Sequence, residues 1–367
     1  IDRRLYPAEF CSKLDFMDYV WVQYAFYDEG YMHGVLAIKT SFRESMGMYA
    51  ETLPSALEHL SKAYKITQKR LDGPKAASDA AIAGVTILAI YQLVHGHVET
   101  GLVHFAGLCR MIQLRGGLAK LMKHNRKSDG DSKHVVLTEY RIDLEFALQS
   151  GLPLRFGAAE VPVNSNTIKT RLISPTHTKL YEHGGNAELI CILSDATAFT
   201  NLLNTTDEAS RLDPLDFSEQ AFSLIHRLID FAPLHLSRPT NLTENLLQLA
   251  LLAIMTNSLP NYTTDARRYE LLAKELKKAI QRQVAFTNVH WKLLLWAVFV
   301  ARVSIFHETQ DERIMPTIMN ICQNLDIDSW VQIRQVLGGY CWLHVTHDTG
   351  AIEIWEKVKA MEEVHKQ

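Results

Sequence analysis

Apolar residues in this chain recur every three or four positions over long stretches, while alternating apolar–polar runs closed by hairpin turns are absent. A pattern of that period can bury its apolar stripe only by packing helix on helix, so the expected fold class is all-α. Leu57, Leu60, Tyr64 and Leu71 are expected on one helical face, opened by a Ser55/Glu58 capping box that would satisfy free backbone N–H groups. Leu102, Phe105, Cys109 and Ile112 repeat the spacing in a segment closed by Gly116-Gly117, whose missing Cβ permits a left-handed C-cap. Further starts are marked by Pro74, by Asp216 with Glu219, by Asn241 with Glu244 and by Thr309 with Glu312. The pattern amounts to about fourteen helices in a bundle or solenoid-like single body spanning residues 1–367. A proline- and glycine-bearing stretch from 150 to 186 reads as a seam between two helical halves, and Lys123–His134, with charges of both signs, as a solvated loop.

Charge and cysteine usage narrow the function. With 38 basic against 41 acidic residues, the chain lacks the positive balance of a nucleic-acid-binding domain, so any DNA contact is expected outside it. A hydrophobic share of 47% is ample for a folded core. Cys11, Cys109, Cys191, Cys322 and Cys341 are scattered and odd in number, which suits neither structural zinc nor a disulfide framework. The longest apolar runs, 80–94 and 293–301, fall short of a membrane span. The first residue is Ile and no signal-peptide pattern follows, so a processed chain or excised fragment, intracellular and soluble, is expected. The Asn-x-Thr triplets at Asn204, Asn241 and Asn261 then read as chance matches.

The polar clusters give no catalytic or metal assignment. His95 and His97 would point apart on a helix, and His97 and His104 would stand about 10.5 Å apart along its axis, too far for one ion. His344, His347 and Asp348 offer at most three ligands without a partner element. Asp143/Glu145 and Asp326/Asp328 are two apart, which on a helix directs them away from a common atom. Gly-rich phosphate loops and a nucleophile elbow are missing, and the stretch from Asp265 to Glu270 is broken by two arginines where a magnesium motif needs carboxylates. Trp291, Trp296, Phe299 and Phe306 read as core.

Four stretches, in chain order, resemble the regulatory domain of fungal zinc-cluster transcription factors. They are Ala56–Leu60 running on to Leu71; Thr86–Ala89 with Val103–Gly107 and Ile112–Leu118; Tyr140–Asp143 with Leu152–Phe156; and Leu325–Trp330 with Tyr340–Trp342 and Ile354-Trp355. The second is the most informative, a His a short helix before an Arg-Gly-Gly turn. Arg115 at that helix end would favour the carbonyl dipole, and His104 reads as a satisfied polar group on an apolar stripe. The family's six-cysteine module is absent here, which leaves a trimmed chain or a stand-alone relative without direct DNA binding.

The resemblance implies a nuclear, effector-responsive or dimerising regulatory domain that shifts between helix arrangements, with a homodimer partner or a small-molecule effector. DNA would be reached only through a module outside this chain, and zinc would be held only there; no other cofactor, and no membrane, is expected. An effector pocket is expected where His104, Arg141, Asp143 and Trp342 converge. The rival reading is a stand-alone all-α enzyme or binding protein for a hydrophobic metabolite.

Overall fold

The computed structural model describes residues 7–13, 20–43, 48–49, 53–118, 120, 129–157, 174–259, 269–282, 287–306 and 311–366. Among them the chain forms fifteen α-helices, one 3-10 turn and a two-residue antiparallel pairing, Phe42–Arg43 with Met48–Tyr49. The fold is all-α. The helices are α1 Val20–Tyr27, α2 Glu29–Ser41, α3 Pro54–Leu71, α4 Asp79–Val94, α5 Val98–Leu114, α6 Asp129–Ser150, α7 Pro175–Glu182, α8 Ala187–Asn204, α9 Pro214–Phe231, α10 Leu242–Met255, α11 Glu270–Arg282, α12 Asn288–Ser304, α13 Asp311–Leu325, α14 Trp330–Leu337 and α15 His344–Lys366.

Several helix starts differ from the sequence expectation. Leu53 is the N-cap of α3 and makes no side-chain cap; Pro54 opens the helix, Ser55 lies inside it, and Glu58 pairs with Lys62 at 2.7 Å. Proline suits that position because its missing N–H is one the first turn leaves free anyway. The buried face of α3 is Ala56, Ala63 and Thr67, with Leu57 exposed: small side chains, not the leucines, meet the neighbouring helices. Pro74 lies in the turn before α4, which Ser78 caps. Asp213, rather than Asp216, accepts the backbone N–H groups of Leu215 and Asp216 at the start of α9. Asn241 caps α10 as expected, through the N–H groups of Thr243 and Glu244. Thr309 lies outside the described residues. Within 150–186, residues 158–173 lie outside them too, but the stretch is not wholly irregular: Ser174 caps α7 and Pro175 begins it. The expected loop 123–134 is helical from Asp129 onward.

The described chain divides into two compact units, one of residues 7–157 with Asp213–Phe222, the other of residues 174–212, Ser223–Leu259 and 269–366. Each is built round a helix buried on all sides, and these are the two apolar runs noted above. In the first unit Ala81–Ala89 of α4 are buried without a break. Its neighbours approach closely: a Cβ on Gly34 of α2 would stand 2.6 Å from Ile87, and one on Gly84 of α4 2.6 Å from Thr67 of α3. Arg70 ties the ends of three helices, bonding Asp28 at 2.8 Å and the Ala80 carbonyl at 3.0 Å. In the second unit Leu293–Arg302 of α12 are all buried, against α10, whose Leu246–Met255 are likewise buried. Trp296 is fully enclosed, donates its indole N–H to the Cys341 carbonyl at 2.9 Å and stacks on Tyr340. Among the described residues no helix is long and apolar enough to cross a membrane.

Candidate functional site

The most informative block of the sequence lies on α4 and α5 and the glycine stop after α5, and a short turn joins the two helices. α4 ends at Val94, Gly96 takes a positive φ of 75°, and α5 begins at Val98, so His95 and His97 lie on the turn rather than along one helix. That geometry sets up a polar chain through the first unit. His97 Nδ1 is 2.9 Å from Gln92 Oε1, Gln92 Nε2 donates to the Tyr64 hydroxyl at 2.9 Å, and that hydroxyl is 3.1 Å from His104 Nε2. All three bonds can run the same way, each group donating to the next, which strengthens such chains. It ends on the His104 lone pair, and burial holds that imidazole below its usual value, so His104 is a neutral acceptor. At the other end of α5, Gly116 and Gly117 have φ of 94° and 88°, and the Gly117 N–H reaches the Ile112 carbonyl at 3.0 Å. Arg115 does more than face the helix dipole: it forms an ion pair with Asp79 in the first turn of α4.

Arg141 and Asp143 lie on α6, both buried. Asp143 receives the backbone N–H of Arg155 through both carboxylate oxygens, at 3.0 and 2.9 Å, and that of Phe156 at 2.8 Å. It therefore anchors the irregular segment 151–157, and Phe156 packs edge-on against Phe105, which stacks on Phe146 of α6. Arg141 acts electrostatically on Glu139, which the sequence reading overlooked. Glu139 is fully buried beside Thr86 of α4, and burial pushes its carboxyl up to about 8. Nothing local in the sequence marks it, since an acid on a helix is ordinarily a solvent-facing residue.

Trp342 belongs to the second unit, so the four expected residues are distributed three and one. Its indole donates to Asp348 at 2.8 Å, its ring lies against His347, and its carbonyl accepts the Asn204 side chain at 2.8 Å. Asn204 also receives the His344 N–H at 2.9 Å, and Arg334 bonds Asp348 at 2.9 Å. Asn204 and Asn241, two of the Asn-x-Thr residues, thus have structural partners; Asn261 lies outside the described residues. His347 is buried between the Leu343 N–H and the Asn257 amide, and burial lowers it to about 4.

A cleft of about 360 Å³ opens in the second unit, lined by residues that include Asp326, Asp328, Lys359 and Glu362. Helical geometry does not separate the two aspartates, because neither is on a helix: Asp326 lies past the end of α13 with φ of 54°, and Asp328 precedes Ser329, which caps α14. Lys359 and Glu362 pair at 2.9 Å.

Burial pushes the Cys11, Cys109, Cys322 and Cys341 thiols up to about 12, which keeps them protonated. Ser194 stands 3.0 Å from His177 Nδ1, a nucleophile–base separation, but both are buried, and burial lowers the imidazole to about 4, making it a weak base. Among the described residues no group of three or more His, Cys, Asp or Glu side chains is placed to hold a metal ion. Asp265, Arg267 and Arg268 lie outside the described residues, while Glu270 opens α11.

Compared with known families, residues 17–338 match the model of the fungal specific transcription factor domain. The chain belongs to that family. A fungal specific transcription factor domain has a regulatory role in transcription, and the match spans the His104–Leu118 block, the Asp143-anchored segment and the whole of α14. No curated protein and no solved structure matches the chain.

Proposed function

We propose that this fungal specific transcription factor domain is the switchable part of a nuclear regulator: binding of an effector, or of a second copy, shifts its helices between arrangements and alters the output of attached modules. The observation that carries the reading is the family match over 17–338. Contact with DNA is assigned to a module other than these helices, in keeping with the near-neutral charge of −3. Exposed aliphatic side chains give partner binding some support: Val103 and Leu114 on α5, and Val331 and Val345 in the second unit, are each at least 65% exposed. The cleft of the second unit mixes the charged Asp326, Asp328, Lys359 and Glu362 with the apolar Met319, Cys322 and Ile327.

Native mass spectrometry of the purified chain, before and after mild denaturation, separates the two modes. A dimer without ligand supports association as the switch, and a co-purified organic molecule supports an effector pocket. A bare monomer that stays monomeric at high concentration and retains no small molecule counts against both.

A further inference from the structure

We propose that His33 and His59 form an acid-labile latch between α2 and α3, holding the helices together while the two rings share one proton and releasing them when a second arrives. The two Nδ1 atoms are 2.9 Å apart, with ring centroids at 5.1 Å. Two imidazole nitrogens make a hydrogen bond only if one carries a proton and the other offers its lone pair. A first proton from solvent can settle on the Nε2 of the donating ring and leave the bond intact. A second must bind the accepting Nδ1; the Nδ1–H···Nδ1 bond is then lost, and two imidazolium cations face each other at contact distance in a half-buried setting.

Among the described residues the surroundings offset that second charge only in part. On α3 the described groups acting on His33 are His59, Lys62 and Glu58, and on its own helix Glu29. Glu58 is engaged by Lys62 at 2.7 Å and exposed, while Glu29 lies 3.9 Å from His33 Nε2, the nitrogen away from the shared bond. α4 presents Ile87 to Gly34 of α2, and α1 presents Tyr24 to Tyr31. Burial, His59 and Lys62 together lower the His33 imidazole.

The latch has a direction. Near the start of α2, Gly30 meets Ile66 and Asp28 is held by Arg70, both late in α3, whereas His33 meets His59 earlier in α3, so the helices run antiparallel. The Asp28–Arg70 ion pair closes one end, and the His pair, early in both α2 and α3, is the next clasp towards the 42–53 connection. Release of the second should free the C-terminal half of α2 and the N-terminal half of α3 while the Arg70 end holds.

Hydrogen exchange of the full chain at pH 7.5 and pH 5, corrected for intrinsic rates, tests this in the parent and in His59→Gln, which keeps a polar partner that does not titrate. The parent should lose about tenfold protection in those two half-helices on acidification, with Ile66–Leu71 unaffected, and His59→Gln should lose none of it. Equal protection at both pH values in the parent, or the same acid loss in His59→Gln, overturns the latch. Should His59→Gln not fold, ring ¹⁵N shifts in the parent decide: coupled rings titrate in two steps at least about one pH unit apart, and two independent, coincident steps overturn the proposal.

Discussion

Thr86 has one hydroxyl proton and two acceptors within reach, the Ile82 carbonyl at 2.9 Å and Glu139 Oε1 at 2.8 Å. The hydroxyl donates to Glu139, and burial, which outweighs that bond and the Arg141 charge, pushes the carboxyl up to about 8. A raised acid gives stability that is complete below its unfolded value of 4.5 and is lost as pH rises through about 8. Glu139→Gln, a permanent copy of the protonated form, should therefore be more stable than the parent by a few kcal/mol at pH 8, and by little at pH 4.5, in urea melts at both pH values. His177 and His347 work in the opposite sense. Each is lowered from 6.5 to about 4, so their stability is present above pH 6.5 and drains away as pH falls towards 4, by about 3 kcal/mol each. Thermal melts should show the midpoint dropping through that window, more steeply in Glu139→Gln, where the opposing acid is gone. Asp143→Asn places an amide N–H against backbone N–H groups it cannot accept, and should cost about 2–3 kcal/mol in the same melts.

At the scale of elements, the sequence was most legible where a helix is amphipathic. The face carrying Phe105, Cys109 and Ile112 is buried as its spacing indicates, and the Gly116-Gly117 stop is where the backbone turns left-handed. It was least legible in α3, because periodicity counts large apolar residues, while the contact there depends on small ones that let backbones approach: Ala56, Ala63 and the glycines opposite. Gly34→Ala tests that packing. Its new methyl would meet the branched body of Ile87 at 2.6 Å, on a helix that cannot yield easily, and should destabilise the chain by about 1–3 kcal/mol in chemical denaturation. Helix starts were misjudged where an earlier residue already served: Pro54 ahead of Ser55 and Asp213 ahead of Asp216.

For the whole molecule, fold class and family were readable from the sequence, since both rest on order and period along the chain. The partners of the candidate site residues were not. Arg141 and Asp143 fall close in sequence and share α6, Trp342 belongs to the other unit, and Glu139, His177 and His347 owe their shifted acid–base behaviour to burial that no local pattern announces. Regulation of transcription is tested by fusing the chain to an unrelated DNA-binding module and reading a reporter gene that carries that module's sites in a fungal host. Transcription should differ from the level given by the module alone. Identical levels from the two, with the fusion folded and bound at its sites, would contradict it.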